Sequence, residues 1–263
     1  MKQYDTYKSS GIEWLGEIPE HWEVKRVKDI FQQINDSSSD LKEGNYVPLE
    51  NIESFTGKLI KRTSNENGEI TTLFRNGDIL LNKLRPYLAK VLLAEFDGGV
   101  SGEVIVYRIN TKYSNKINCG YFFYRFLSQE FISKINSITD GVKMPRSNPN
   151  KIFALDIQCP SINEQTAIAN YLDTKTAAID HKIELLTAKA DKYKALRRSL
   201  INETVCRGLN PKAPLKDSGI EWIGMIPEHW DVKRFKDIAY SITGLTYSPD
   251  DIVDEEDGVL VLR

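Results

Sequence analysis

The sequence predicts an α+β protein: a globular, strand-rich domain, then a long coiled-coil-type helix, then the start of a second domain. Three observations lead to this fold class. Short β-type runs separated by Gly, Asn and Asp fill much of residues 45–160. Apolar residues at heptad spacing follow Pro160. A 21-residue segment near the start of the chain recurs near its end.

Composition excludes several classes of protein. The chain has 263 residues, of which 41% are hydrophobic and 27% charged, and its formal charge is −2, so it predicts neither disorder nor a global polycation. No apolar run reaches the roughly 18 residues of a membrane span, and the first residues lack the apolar stretch of a signal peptide, so we expect a cytoplasmic protein. Cys119, Cys159 and Cys206 lie far apart without a CxxC, which favours reduced thiols over a disulfide framework or a zinc site.

The repeated segment organises the chain. SGIEWLGEIPEHWEVKRVKDI at residues 10–30 returns as SGIEWIGMIPEHWDVKRFKDI at residues 218–238, with 17 of 21 positions identical. This period is too long for a solenoid and indicates a duplicated domain. Because 25 residues follow the second copy, we expect the second domain to be truncated. The predicted domains are residues 1–160, 161–209 and 210–263.

Local patterns predict the elements of the first domain. The runs NYVPLENI, DILLNKL, AKVLLAEF and EVIVYRI are typical of strands. CGYFFYRFLSQEFISKINSI then spaces its apolar residues as one amphipathic helix. Strands followed by helix favour the α+β class.

The long helix is predicted by its start, its periodicity and its end. Ser161 and Glu164 fit a capping box, and Gly208 with Pro211 supplies a stop, so residues 163–207 would span roughly 65 Å. Its helix-pairing seam is predicted at these residues: Leu172, Ile179, Ile183, Leu186, Tyr193 and Leu200. Such a stripe either packs on its own domain or pairs with a second helix. The length of the helix favours a second helix, from later in an intact chain or from another protomer.

No constellation of residues predicts catalysis. The sequence contains no GxxxxGK[ST], GxGxxG, HExxH or GxSxG, and no [NDS]PP[YFW] tetrapeptide of the kind with which amino-methyltransferases hold a flipped base. His21 and His229 occupy equivalent positions of the repeat, and His181 lies on the charged side of the helix. We therefore expect a chain without a catalytic or metal site of its own.

Two basic stretches are candidates for DNA binding. Residues 58–90 carry a local excess of four positive charges, and residues 140–151 form a turn-rich basic loop. Positive and aromatic side chains in these stretches suit phosphates and guanine edges. The candidate DNA-binding residues are Lys83, Arg85, Tyr87, Lys90, Lys143 and Arg146. The alternative is a solvated strand edge with scattered basic residues. The four tryptophans all lie in the repeated segments, and we interpret them as docking anchors rather than base-stacking platforms.

With the paired SGIEW segments, GDILLNKLRPYLAK, and CPSINEQTAIANYLDTKTAAID leading into the long helix, the chain resembles the DNA-specificity subunit of type I restriction-modification systems. The resemblance implies two target-recognition domains held apart by two antiparallel helices and reading a split DNA sequence. It also implies partner subunits: modification subunits that methylate adenine and motor-nuclease subunits that cleave. S-adenosylmethionine, ATP and magnesium would belong to those partners, and none to this chain.

The chain departs from the family in length. We expect one half-site to be read per chain, and two copies to pair through residues 168–200 into a two-domain reader of inverted half-sites; the alternative is an interrupted gene product or fragment. The rival function is a coiled-coil interaction protein that captures modification subunits without reading DNA sequence. An enzyme is the third hypothesis, and it has no motif in its favour.

Overall fold

The computed structural model describes residues 4–39, 41, 44–65, 70–141 and 143–241. These residues mix helices and strands, which confirms the predicted α+β class. The chain divides into two compact units, Met1–Lys182 and Ile183–Arg263. The predicted third domain, residues 210–263, is described only as far as residue 241, and the rest lies outside the described residues.

Fourteen strands and six helices are assigned within the described residues. The strands are β1 (Tyr7–Ser9), β2 (Glu17–Pro19), β3 (Glu23–Arg26), β4 (Phe31–Ile34), β5 (Ser37–Ser38), β6 (Tyr46–Val47), β7 (Thr71–Phe74), β8 (Ile79–Asn82), β9 (Val91–Leu93), β10 (Gly98–Val100), β11 (Val104–Ile109), β12 (Asp156–Cys159), β13 (Leu215–Asp217) and β14 (Met225–Pro227). The helices are α1 (Val27–Ile30), α2 (Cys119–Leu127), α3 (Gln129–Ser137), α4 (Pro149–Phe153), α5 (Ile162–Arg207) and α6 (Phe235–Ile238).

A four-stranded antiparallel sheet, ordered β4-β11-β8-β9, carries the core of the first unit. Both of its faces are covered. On β8, Ile79 and Leu81 join the apolar cluster that includes α2 and α3, whereas Leu80 between them joins a second cluster. Successive side chains of a strand point to opposite faces, so a strand buried on both faces is a continuous apolar run.

The second cluster lies against another four-stranded sheet, ordered β5-β7-β10-β6, in which only the β10–β6 pair is parallel. Val47, Phe74 and Val100 of this sheet pack with Leu80. The backbone approaches closely here, since a Cβ at Gly98 would collide with the carbonyl oxygen of Asn45.

Three of the four predicted strands are confirmed, as β8, β9 and β11. The prediction that NYVPLENI forms one strand is wrong: β6 covers only Tyr46–Val47, and a 3-10 helix follows at Leu49–Asn51. Pro48 stands between them and has no amide hydrogen to donate to a sheet, so the strand ends there.

The single helix predicted over residues 119–138 is also wrong, because it is two helices, α2 and α3. Ser128 separates them in an extended conformation, and its side chain accepts a hydrogen bond from the amide of Phe131 as the N-cap of α3. The apolar positions on both helices face one core, so periodicity alone hides the break.

The long helix α5 matches its prediction closely, with 46 residues from Ile162 to Arg207. The capping box is confirmed: the Glu164 amide donates to the Ser161 hydroxyl at 3.4 Å, and the Ser161 amide donates to the Glu164 carboxylate at 3.3 Å. At the other end Gly208 has φ +76°, the left-handed conformation that commonly ends a helix. No described helix is both long and apolar enough to span a bilayer.

Each copy of the repeated segment supplies the second strand of a hairpin, whose first strand lies just before the segment, and then a one-turn helix. In the first copy β1 pairs with β2, and Tyr7 faces Pro19. In the second copy β13 pairs with β14 in the same register, with Leu215 facing Pro227. The short helices α1 and α6 follow at equivalent positions.

Candidate nucleic-acid interface

The two basic stretches predicted from sequence lie side by side at residues 83–90 and 143–146, named here the basic loop pair. Leu84 and Arg146 form an antiparallel β-bridge between them. Two backbone hydrogen bonds of 2.8 Å flank this bridge. Segments about 60 residues apart in sequence therefore form one surface.

Strained backbone is held in place at one side of the basic loop pair. Arg85 and Ala89 have φ of 53° and 47°, which side chains other than glycine rarely adopt. The fully buried Asn82 fixes this turn: its Nδ2 donates to the carbonyls of Leu84 at 2.8 Å and Arg85 at 3.1 Å, and its Oδ1 accepts from the amide of Lys90. Such strain persists only where surrounding structure enforces it, and it concentrates at functional sites.

Some of the predicted DNA-binding side chains have no ion-pair partner within the protein, and others are bound by it. Arg85, Tyr87 and Lys143 are exposed, and Lys83 is half-buried. Within the part of the chain that the structure describes, Lys83, Arg85 and Lys143 form no ion pair. These three cations are available to an external anion.

Lys90 and Arg146 are bound within the protein. The Lys90 ammonium donates to the backbone carbonyls of Leu49 at 2.9 Å and Glu50 at 3.3 Å, so it ties the strained turn to a neighbouring 3-10 helix. Arg146 donates from Nη2 to the Glu103 carboxylate at 2.7 Å, while more than half of its side chain stays exposed.

Sequence reasoning missed Glu103, Met144 and Phe55 of this surface. Glu103 accepts a hydrogen bond from Arg146, and Met144 is an exposed apolar side chain beside Lys143. Phe55 is also exposed, with φ +65°, and its amide donates to the carbonyl of Ala89. An Asn that ends an apolar strand just before a Leu-Arg-Pro turn is a pattern that points to Asn82, whereas no local pattern indicates Phe55 or Glu103.

The predicted helix seam is open to solvent. Leu172 is half-buried, and the five other seam residues are between 53% and 60% exposed: Ile179, Ile183, Leu186, Tyr193 and Leu200. A stripe of large apolar side chains at helical spacing is a surface that favours a partner.

The first part of α5 is fastened to the globular domain by polar contacts. The Tyr124 hydroxyl donates to Asp173 at 2.7 Å, and Lys58 pairs with Asp180 at 2.6 Å. Burial is the main cause that raises the pKa of Tyr124. A hydrogen bond with Thr176 acts to lower this pKa, and the Asp173 carboxylate acts to raise it. The hydroxyl of Tyr124 therefore remains a donor at neutral pH.

Among the described residues, no group of three or more His, Cys, Asp or Glu side chains could hold a metal ion. The arrangement offers cationic donors, one aromatic ring and an exposed apolar side chain on two loops supported by a sheet. This is the chemistry of a surface that contacts a polyanion.

The fold is thus an α+β sheet domain with two adjoining basic loops, followed by a long helix. Residues 19–188, more than half of the chain, match the family model described as the type I restriction modification DNA specificity domain, and the chain belongs to that family.

Curated and solved relatives agree with this assignment. The chain is 30% identical over 175 residues to the EcoDI type I restriction enzyme specificity subunit of Escherichia coli, an alignment that covers 63% of this chain and 37% of that protein. The HsdS subunit from Thermoanaerobacter tengcongensis has the same fold with a TM-score of 0.52 at 20% identity, over 76% of this chain and 53% of the other. A structure from a study of the complex assembly of the type I R-M system has a TM-score of 0.54 at 20% identity and the same coverage. The chain thus spans about half the length, or less, of these relatives.

Proposed function

We propose that this chain recognises DNA sequence as a specificity and scaffold subunit of a type I restriction-modification complex. The observation that carries the proposal is the basic loop pair, in which two distant cationic segments form one surface on a rigid sheet domain. Membership of the DNA specificity family supports the same function. We expect the protein to act in the cytoplasm on double-stranded DNA.

The free cations of the loop pair suit phosphate contacts. Lysine is a point charge on a flexible stem, so Lys83 and Lys143 track a backbone without requiring one geometry, and the exposed Arg85 can do the same. Tyr87, two residues after Arg85, is an exposed ring. Lys90 contributes by holding the turn, since its ammonium is bound to backbone carbonyls.

The chemistry would lie in partner subunits. The chain would bring modification subunits to a chosen adenine, and motor-nuclease subunits would join for cleavage, with S-adenosylmethionine, ATP and magnesium bound by those partners. The names of the curated relatives as specificity subunits support a non-catalytic role.

Removing free cations tests the DNA surface. Arg85→Ala and Lys143→Ala should each weaken DNA binding by the partner-bound complex and reduce the slope of log K against log salt by about 0.9 for each phosphate that is no longer neutralised. Fluorescence anisotropy at several salt concentrations measures both quantities. Lys28→Ala is the matched control, because Lys28 is an exposed cation on α1. Unchanged affinity and slope in both loop variants would move the DNA surface elsewhere.

The open helix seam supports a second proposal, that two copies of the chain pair through residues 168–200. An isologous pairing would give a two-fold reader of inverted half-sites. Light scattering at micromolar concentration should report a dimer for the wild type and a monomer for Leu186→Glu, which places a charge in the seam. Lys192→Glu changes an exposed residue off the seam and should remain dimeric. A monomeric wild type would reject the pairing.

The rival function, a coiled-coil protein that captures modification subunits without reading DNA sequence, is favoured by the same open seam. Co-purification with a methyltransferase subunit, followed by selection from random duplex pools, separates the two. An enriched motif supports the reader, whereas capture of the subunit without enrichment supports the rival.

A further inference from the structure

Arg146 is a cation of the basic loop pair whose backbone is held on two sides while its side chain stays mostly exposed. Its backbone forms bridges on two sides, with Leu84 of one loop and with Asp140 of its own loop. The bonds to Asp140 are 3.0 and 3.1 Å long. The Cα of Arg146 is therefore fixed relative to the sheet domain, unlike that of a residue at the tip of a free loop.

Its side chain is fixed as well, but only in part. Nη2 donates to Glu103 Oε1 at 2.7 Å, and the other guanidinium nitrogens have no partner among the residues that the structure describes. Glu103 itself has little freedom, because its Oε2 is buried and its backbone carbonyl accepts from the amide of Lys83 at 2.9 Å. The guanidinium is thus anchored at one corner and exposed at the others.

Arg108, in contrast, is an arginine that is paired with a carboxylate through two of its nitrogens. Arg108 donates from both Nε and Nη2 to the buried Asp78, at 2.8 and 2.6 Å, and little of it reaches solvent. The pair of Arg108 with Asp78 therefore engages both Nε and Nη2 of the guanidinium within the protein. The pair of Arg146 with Glu103 leaves donors of the fork unused at the surface.

We propose that Arg146, oriented by Glu103, reads a guanine edge in the major groove, and that it differs in this role from the phosphate-binding cations beside it. The inference rests on the proposed DNA-reading function. Guanine presents its O6 and N7 as two adjacent acceptors, and the planar arginine fork matches them with two donors. Such a contact requires a fork held in one orientation, which Glu103 provides, whereas phosphate contacts tolerate mobile side chains. Glu103 is accordingly a positioning residue.

Selection from random duplex pools with the full chain in its partner complex tests the role of Arg146. The wild type should enrich a motif with a G·C pair at one position. Arg146→Ala should lose the preference at that position alone, with discrimination against the other base pairs falling about tenfold or more. Arg146→Lys should not restore it, because a lysine has no planar fork. Arg26→Ala is the control, since Arg26 forms a comparable exposed ion pair with Asp29.

Glu103→Gln tests the positioning role while conserving the size of the side chain. It should lower discrimination at the same base pair several-fold and leave affinity for random duplex DNA and its salt slope unchanged. A structural defect would instead weaken binding to all sequences. The inference is overturned if Arg146→Ala keeps the complete motif and lowers affinity uniformly with a smaller salt slope, because Arg146 would then contact phosphate. If the wild type itself enriches no motif, the proposed function fails instead.

Discussion

The repeated segment occurs in two settings, and the two copies differ in burial far more than in sequence. Ile30 is completely buried in the first copy, whereas its equivalent Ile238 is 65% exposed. Trp14 is half-buried against Phe131, whereas Trp222 is 86% exposed. Ile18 and its equivalent Ile226 are buried in both copies, so the surrounding elements determine burial at some positions of the segment, such as Ile30, and not at all of them.

Local structure, in contrast, is nearly the same in both copies. The hairpins share one register, and both short helices are preceded by an arginine that pairs with an aspartate three residues on, as Arg26 with Asp29 and Arg234 with Asp237. The strand β3 is the exception. It forms against β12 in the first copy, and the described residues assign no strand to its equivalent at residues 231–234. Turns and caps are encoded within the segment, whereas β3 requires a distant partner.

The largest expected effect separates the two isoleucines. Ile30→Ala should lower the free energy of unfolding of the first unit by about 3 kcal/mol, because it creates a cavity in the core. Ile238→Ala should change stability by less than about 0.5 kcal/mol, since it removes an exposed side chain. Urea unfolding followed by circular dichroism measures both. Equal losses would mean that the second copy is covered in solution.

The tryptophans should differ in the same direction by less. Trp14→Ala removes a ring that lies 5.2 Å from the buried guanidinium of Arg125, and should cost about 2 kcal/mol. Trp222→Ala should be almost neutral. Thermal unfolding checks the pair, and acrylamide should quench the fluorescence of Trp222 far more than that of Trp14 in single-tryptophan variants. Similar quenching of both would contradict the difference in exposure.

Acid should weaken the contact between the first copy and the start of α5. Burial acts to raise the pKa of Glu164, but hydrogen bonds from His21, Ser161 and Trp22 prevail and lower it from 4.5 to about 2. A carboxylate with a lowered pKa stabilises the fold above its ordinary pKa, and this stabilisation is lost as the pH falls from about 5 to 2.

The matched variant for this contact is Glu164→Gln. It should lower stability by about 1.5 kcal/mol at pH 7, and the difference from the wild type should shrink as the pH falls through that window. Melting temperatures between pH 7 and pH 2 measure it. A difference that is independent of pH would show that the charge of Glu164 is not used.

The smallest expected loss of stability should be the same in both copies of the segment. Gly11 and Gly219 both have φ +72°, and a Cβ at either would meet no atom within 4 Å. Alanine at each should cost about 1 kcal/mol through backbone strain alone. Amide hydrogen exchange of the two hairpins compares them directly. Unequal losses would show that the hairpin of one copy depends on its surroundings.

The sequence predicts best what adjacent residues determine. The start and end of α5 follow from Ser161, Glu164 and Gly208, which act within one turn of the helix. The strand β8 follows from a continuous apolar run. The break at Ser128 is missed because its cap lies inside a pattern whose apolar spacing continues across it. The helix α4 is missed although Asn148 and Pro149 begin it, because a basic, turn-rich stretch is typical of a loop.

The sequence predicts which residues of the candidate site carry charge, but it does not predict how these residues are arranged in space. Lys83, Arg85 and Lys143 stand out by charge, but nothing local indicates that Leu84 pairs with Arg146 across the intervening domain. The distinction between free and committed cations depends on such long-range contacts. Lys90 has the same charge as Lys83, yet only Lys90 is bound to backbone carbonyls of the chain.

Within each unit, a tryptophan of the repeated segment contacts a residue at one end of α5: Trp22 donates to Glu164 in its first turn, and Trp230 lies against Gly208 just past its last. Trp22 and Trp230 occupy equivalent positions of the two copies. An exchange of residues 31–160 would leave Trp22, Glu164, Gly208 and Trp230 in place, so the domain before α5 could change in sequence while both tryptophan contacts are kept.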